Sequence, residues 1–400
     1  MPFKNVIAQN EVKQHLVELI QHNRLSHALL FLGPEGGGGL PLALAFAQYV
    51  VCEKVNIPQK PAASLFADGP RPSAISHQLS DACGSCPSCM KAQQLIHPDI
   101  HFSYPVIPKK SGDKPVSIDY ISEWREFISQ YPYGNAFDWL QFIGAENKQG
   151  NITANECNDI IRKLSLKSFE SGYKILVMWM PEYLGNEGNK LLKLIEEPPP
   201  DTLFILVAEN ESSILPTILS RTLLIKIPLL DLKDIETGLI ERSKTSHEKA
   251  RQVASICEGS YREALQLLQH AEEDWQGLLR DWLNAVLKTG PAAQVKWIDD
   301  ISRLGRERQK QFLRYFNHLL EQAIRLRVMD AQQSRIPDNE KDFAIRLNKI
   351  ADISQQQAII EELDKATYYI ERNAHAKMLF HALTIKLYHI IAHKTVAIVN

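Results

Sequence analysis

The stretch Cys83-Gly-Ser-Cys86-Pro-Ser-Cys89 places three thiols at C-x2-C-x2-C spacing. Thiols so spaced can turn toward one soft ion, and Gly84 and Pro87 suit the tight turns this requires. Tetrahedral zinc takes four donors. Cys52, 31 positions upstream, is the best fourth candidate, with His77 and His97 as alternatives. Four protein ligands leave no open position for water, so a structural zinc is expected and no catalytic one. The two remaining cysteines, Cys157 and Cys257, stand alone and read as small buried apolar residues.

A second stretch, FLGPEGGGGLPLALAFAQ (Phe31 to Gln48), has the outline of a phosphate-binding loop. Gly33 and Gly38 match the glycines of G-x-x-x-x-G-K-[ST], after an apolar strand and before a helix. The Lys position holds Gly39 and the Ser/Thr position holds Leu40, so the phosphate's cation and the magnesium's hydroxyl are both missing. A second strand, KILVMWMPE, ends in Trp179 and Met180 where an ATPase needs acidic residues for metal and water; Glu182 falls two positions late and reads as a surface or cap residue. Two degenerate elements in one chain predict a fold retained without ATP binding or hydrolysis.

Two arginines complete the candidates. Ser220-Arg221-Thr222 follows a short helix led by Pro216 and precedes the last strand, where a guanidinium can reach a neighbouring subunit or serve a local carboxylate. Arg262, in Gly259-Ser260-Tyr261-Arg262, opens a helix that Ser260 can cap, and could face a nucleotide or solvent.

The elements that position these residues alternate helix and strand up to about Pro228. EVKQHLVELIQ reads as an amphipathic helix, and HALLFL, YKILVMWMP and TLFILVAEN as buried strands. GNKLLKLIEEPPP reads as a helix stopped by prolines. This order predicts a doubly wound α/β core over residues 1–228, with a parallel sheet. It carries a cysteine module at about 52–89 and an insertion at about 105–150. The insertion's aromatic part, WREFISQYPYGNAFDWLQF, suits either a partner surface or a packing cluster. A helical lid over 229–272 and an all-helical domain over 273–400 follow. Of the 400 residues 44% are apolar and 23% charged, and the net charge of −2 does not favour a free-standing DNA binder. No run of about 18 apolar residues predicts a membrane span, and MPFKNVIAQNEVKQHL lacks the apolar core of a secretory signal, so cytoplasm is expected.

Together VIAQNEVKQHLVELIQHNRLSHALLFLGP, the cysteine group followed by His97-Pro-Asp99, LLKLIEEPPPDTLFILVAEN and LPTILSRT resemble the AAA+ clamp-loader family of bacterial DNA polymerase III, in its delta-prime branch. The resemblance covers almost the whole chain. It implies an AAA+ core, a three-helix lid and a helical collar through which five subunits assemble. The complex opens a sliding clamp and loads it on primed DNA, with ATP-binding gamma/tau-type subunits and a delta subunit as partners. The family's zinc group falls on Cys52, Cys83, Cys86 and Cys89, although the first interval is longer here. Its arginine finger, which completes the neighbouring subunit's ATP site, falls on Arg221, with Ser220 before it and Thr222 in place of Cys. Its nucleotide-sensing arginine falls on Arg262. The collapsed loop fits the branch that acts as a non-hydrolysing stator.

Overall fold

A computed structural model of the chain describes residues 1–55, 80–110, 112–145, 150–269, 274–328, 338–371 and 374–393. It divides into two compact units, Met1–Leu265 and Gln266–Asn400.

In the first unit the chain runs α1 (Asn10–Gln21), β1 (Ala28–Leu32), α2 (Gly39–Val51), α3 (Pro87–Gln93) and β2 (Ile100–Ser103). Then come α4 (Ile121–Gln130), α5 (Ala136–Phe142), α6 (Ala154–Leu164), β3 (Lys174–Trp179), α7 (Leu192–Glu196), β4 (Thr202–Ala208), α8 (Pro216–Leu219) and β5 (Leu223–Lys226). Three helices follow, α9 (Leu232–Ser243), α10 (His247–Ile256) and α11 (Tyr261–Gln269). The five strands form one parallel sheet in the order β2-β3-β4-β1-β5, so the expected doubly wound α/β core is present.

Strand side chains alternate between two apolar layers, as period 2 requires. Phe31, Val177, Trp179, Ile205 and Val207 face α2 and the aromatic residues of the insertion. Leu30, Leu176, Met178, Phe204 and Leu206 face α6 and the turns around Ile195 and Ile218. Coverage of both faces explains why β3 and β4 are apolar at nearly every position. The insertion contributes to the first layer and is no appendage. Trp124, Phe127 and Trp139 are fully buried. Trp124 stacks on Tyr104 at 4.0 Å and lies 5.3 Å from Trp179, and Trp139 Nε1 donates to Pro105 O at 2.7 Å. An antiparallel bridge between Val106 and Asn151 closes the base of the segment. Of the two roles open to these aromatics, packing is the one seen.

The stretch expected as a helix before the three prolines is mostly 3-10: a turn spans Pro181–Leu191, broken by Gly185 at φ 51°, and α7 adds five residues. Among the described residues no strand follows β5. The second unit contains α12 (Trp275–Asn284) with a π-helical extension through Thr289, α13 (Pro291–Ser302), α14 (Arg306–Val328), α15 (Asp338–Ile350), α16 (Ile353–Glu371) and α17 (Ala376–His393). Its core stacks Trp282 on Trp297 at 4.6 Å, with Phe312, Phe316 and Phe380 around them. Trp282 Nε1 donates to Thr384 Oγ1 at 3.0 Å. No helix among the described residues is long and apolar enough to cross a membrane.

Candidate functional site

The degenerate loop lies at the carboxyl end of β1, beside β4 and β5, where doubly wound sheets bind ligands. Gly36 and Gly38 have φ of 74° and 95°, a backbone path that glycine adopts at little cost. A Cβ on Gly36 would meet Ser260 Oγ at 2.1 Å, and one on Gly38 would meet the Tyr133 ring at 3.1 Å. Gln9 Nε2 donates to Gly37 O at 3.0 Å and to Pro228 O at 2.8 Å, tying the loop to α1 and to the end of the sheet. The space left between the loop glycines, Tyr133 and Trp179 is about 20 Å³, room for about one water. Leu40 is buried. Trp179, at the end of β3, is 2% exposed and lies against Trp124 and Phe127, so an indole stands where an ATPase's acidic residue would hold the metal. Glu182 accepts the N–H groups of Glu209 and Asn210 at 2.7 and 2.9 Å, as a residue capping a turn does.

Arg262 faces neither solvent nor an open cleft. Its side chain is 4% exposed. Nε and Nη2 donate to the two carboxylate oxygens of Asp138 at 2.5 and 2.6 Å, and Nη1 donates to Glu35 at 2.6 Å. Ser260 Oγ accepts Glu263 N–H at 3.3 Å, the expected cap. Sequence reasoning missed Asp138 and Glu35. The only signal for Asp138 is a local one: it pairs with Asn135 in a capping box that starts α5.

Arg221 stands at the end of α8, before the edge strand β5. Its side chain is 32% exposed. Nε donates to Glu196 Oε1 at 2.6 Å, Nη2 donates to the same oxygen, and Nη1 donates to Thr217 O at 2.7 Å and Ser220 Oγ at 3.1 Å. The two motifs that stand out in the sequence, around IEEPPP and ILSRT, thus meet at one ion pair.

The four sulfur atoms of Cys52, Cys83, Cys86 and Cys89 lie within 4.8 Å of one another. Cys52 caps the end of α2, Cys86 caps the start of α3, and Cys89 lies in its first turn. Backbone N–H groups point at the sulfurs: Cys83 N to Cys52 Sγ, Cys86 N to Cys83 Sγ and Cys89 N to Cys86 Sγ, each at 3.4 Å. Burial pushes the Cys52 and Cys89 thiols up. It acts on Cys83 too, but N–H groups of Ser85 and Cys86 outweigh it and bring that thiol to about 6. Tetrahedral zinc at about 2.3 Å from each sulfur needs sulfurs about 3.8 Å apart, and Cys83 and Cys89 are 3.9 Å apart. The donor set and spacing fit a four-thiolate ion. His97 is engaged elsewhere: Nδ1 accepts Asp99 N–H at 3.2 Å and Nε2 lies 3.4 Å from Glu170. His77 lies outside the described residues.

Residues 8–66 and 59–231 match the profile of a family described as DNA polymerase III, delta subunit. DNA polymerase III subunit delta' of Bacillus subtilis (strain 168) is 26% identical over 264 residues, 66% of this chain and 60% of that protein. Subunit delta' of Pseudomonas aeruginosa is 27% identical over 205 residues, 51% of this chain and 44% of that protein. Subunit tau of Bacillus subtilis is 24% identical over 333 residues, 80% of this chain and 46% of that protein. The chain therefore spans less than two thirds of these relatives' own lengths. Among solved structures, a DNA polymerase III gamma subunit-related protein of Thermotoga maritima is 14% identical over 95% of this chain and 99% of its own, with a TM-score of 0.37. On the match across its α/β half, the chain belongs to the DNA polymerase III delta-subunit family, and relatives it matches at 26–27% identity are DNA polymerase III delta-prime subunits.

Proposed function

We propose that this chain is a non-hydrolysing, stator-like subunit of a cytoplasmic DNA polymerase III clamp loader, and that it supplies Arg221 in trans to an ATP held by an adjacent gamma/tau-type subunit. The observation that carries this reading is the nucleotide cleft. The chain's own residues reduce it to about 20 Å³, whereas sites for small organic ligands have roughly 300–1,000 Å³. ATP chemistry is then left to neighbours, and this chain's contribution moves to its edge.

At that edge the guanidinium of Arg221 is partly exposed, and Glu196 holds it ready. Phosphoryl transfer spreads negative charge over the transferred group, and a planar guanidinium stabilises that charge with several aligned donors. An exposed ion pair is worth about 0–1 kcal/mol, so exchanging Glu196 for a neighbour's phosphate costs little. Ser220 Oγ and Thr217 O accept from Nη1 and fix the fork's direction. Cys52, Cys83, Cys86 and Cys89 would hold one zinc, which ties the end of α2 to the start of α3 and has no open position for chemistry. The helices over 273–400 act as the collar. Partners are the gamma/tau-type and delta subunits, with the sliding clamp and primed DNA met through the complex.

An ATP-binding paralogue with an altered site is the second reading, supported by the tau match over 80% of the chain. Gly39 and Leu40 weigh against it, since neither replaces the lost cation or hydroxyl. Calorimetric titration of the purified chain with Mg-ATP separates the two. The stator reading expects no site of micromolar affinity, together with single-copy assembly when gamma/tau-type and delta subunits are added. Micromolar binding would sink it.

A further inference from the structure

We propose that the segment Pro132–Asp138 of the insertion is a built-in latch: it stands where a nucleotide would lie and holds the lid helices α9–α11 on the sheet with no ligand bound. This rests on the reading of the cleft as a site without ATP, and it assigns the insertion a role within that site.

Two contacts make the latch. The first is ionic. The guanidinium of Arg262, on the lid, takes both oxygens of Asp138 in a planar fork and reaches Glu35 in the loop with its remaining nitrogen. Such a fork matches carboxylate and phosphate equally well. Asp138 therefore gives Arg262 what a phosphate would give, and the two carboxylates leave the cleft with an excess of negative charge that disfavours a polyphosphate. The second contact is aromatic. Tyr133 fills the mouth of the loop beside Gly38. Its hydroxyl accepts Ile7 N–H at 2.8 Å, its ring meets the Tyr261 ring of the lid at 5.0 Å, and the Arg242 guanidinium of α9 lies 6.0 Å from its centroid.

The lid also touches the loop directly. Tyr261 N donates to Gly36 O at 3.2 Å, and Arg242 Nη2 donates to Asn5 O at 2.7 Å. The segment can bear this load because Trp124 and Trp139, which flank it in sequence, are anchored in the sheet's apolar layer. Ligand binding closes lids in many proteins by adding contacts to the closed state only. Here the closing group is tethered, so it is present at a fixed high effective concentration and cannot diffuse away when the contact opens.

The test is hydrogen exchange on the full-length chain without nucleotide, and again with millimolar Mg-ATP. In the wild type, amides of 232–269 should be protected and unchanged by Mg-ATP. Asp138→Asn keeps an acceptor for Asn135 N–H but removes the charge. It should speed exchange in the lid by about tenfold or more while β1, β3 and β4 keep their protection. Glu35→Gln, which leaves the Asp138 fork intact, should give a smaller effect in the same segment. Unchanged lid exchange in Asp138→Asn would overturn the latch. Equal loosening of lid and sheet would overturn it too, by giving Asp138 a general stabilising role. Neither result touches the stator reading, which fails only if the wild type binds Mg-ATP or does not assemble.

Discussion

Replacing Trp139 by Phe should cost the first unit roughly 2–4 kcal/mol more than replacing Trp124 by Phe. Both indoles are fully buried in the same aromatic cluster, 5.3 Å from each other. Both substitutions remove similar volume, at roughly 1–2 kcal/mol each for a partly refilled space. The difference lies in the N–H. Trp139 Nε1 donates to the buried carbonyl of Pro105 at 2.7 Å, and Phe would leave that oxygen without its donor, at about 1–3 kcal/mol. Trp124 Nε1 has no hydrogen-bond partner among the described residues, so Phe there removes a desolvated donor and recovers on the order of 1 kcal/mol. Urea unfolding followed by hydrogen exchange in peptides spanning 121–142 and 174–208 reads the first unit separately, which a two-unit chain requires. Equal losses, or a larger loss at Trp124, would refute the view that the insertion is fixed to the sheet through Trp139 and Pro105.

Two further outcomes are expected. Metal analysis should give about one zinc per chain, as four ligands predict; Cys52→Ser should lower it sharply and destabilise the first unit, whereas His97→Gln should leave it unchanged, and the reverse pattern would move the fourth ligand to His97. Asp99 is buried, which raises its carboxyl, but three N–H donors from Phe169, Glu170 and Ser171 outweigh this and hold it below its ordinary value of 3.8. Its stabilising contribution is thus full above that ordinary value and is lost as pH falls through the depressed one. Asp99→Asn should cost about 2 kcal/mol at neutral pH, and the gap to wild type should close in strong acid; a gap independent of pH would mean that packing, not charge, is what Asn loses.

The central strands were legible because both of their faces are covered, so HALLFL, KILVMW and TLFILVA read as apolar runs. β2 was not: it is a four-residue edge strand with His101 half-buried in it, too short and too polar for a periodic signal. α6 was also missed, although Cys157, Ile160 and Leu164 form a helical stripe, because the undefined insertion before it masked its start. The proline-stopped helix was overread, since Gly185 breaks the preceding turn and only Leu192–Glu196 is α-helical. The cysteine group and Arg221 were visible as local motifs. The Asp138–Arg262–Glu35 cluster was not, because its members lie 124 and 227 positions apart and each has a credible local role.

The most direct test of the central claim reconstitutes the clamp loader with wild-type chain, Arg221→Ala or Arg221→Lys, and measures clamp loading beside DNA-dependent ATPase. An arginine finger is worth roughly 10³–10⁵ in rate at the site it serves. Only one of several ATP sites would depend on this chain, so Arg221→Ala should lower total ATPase partially and loading more strongly, with assembly and zinc content intact. Arg221→Lys should restore little, because a point charge does not replace the planar fork. Normal loading by the Arg221→Ala complex would contradict the account and leave Arg221 as the local partner of Glu196.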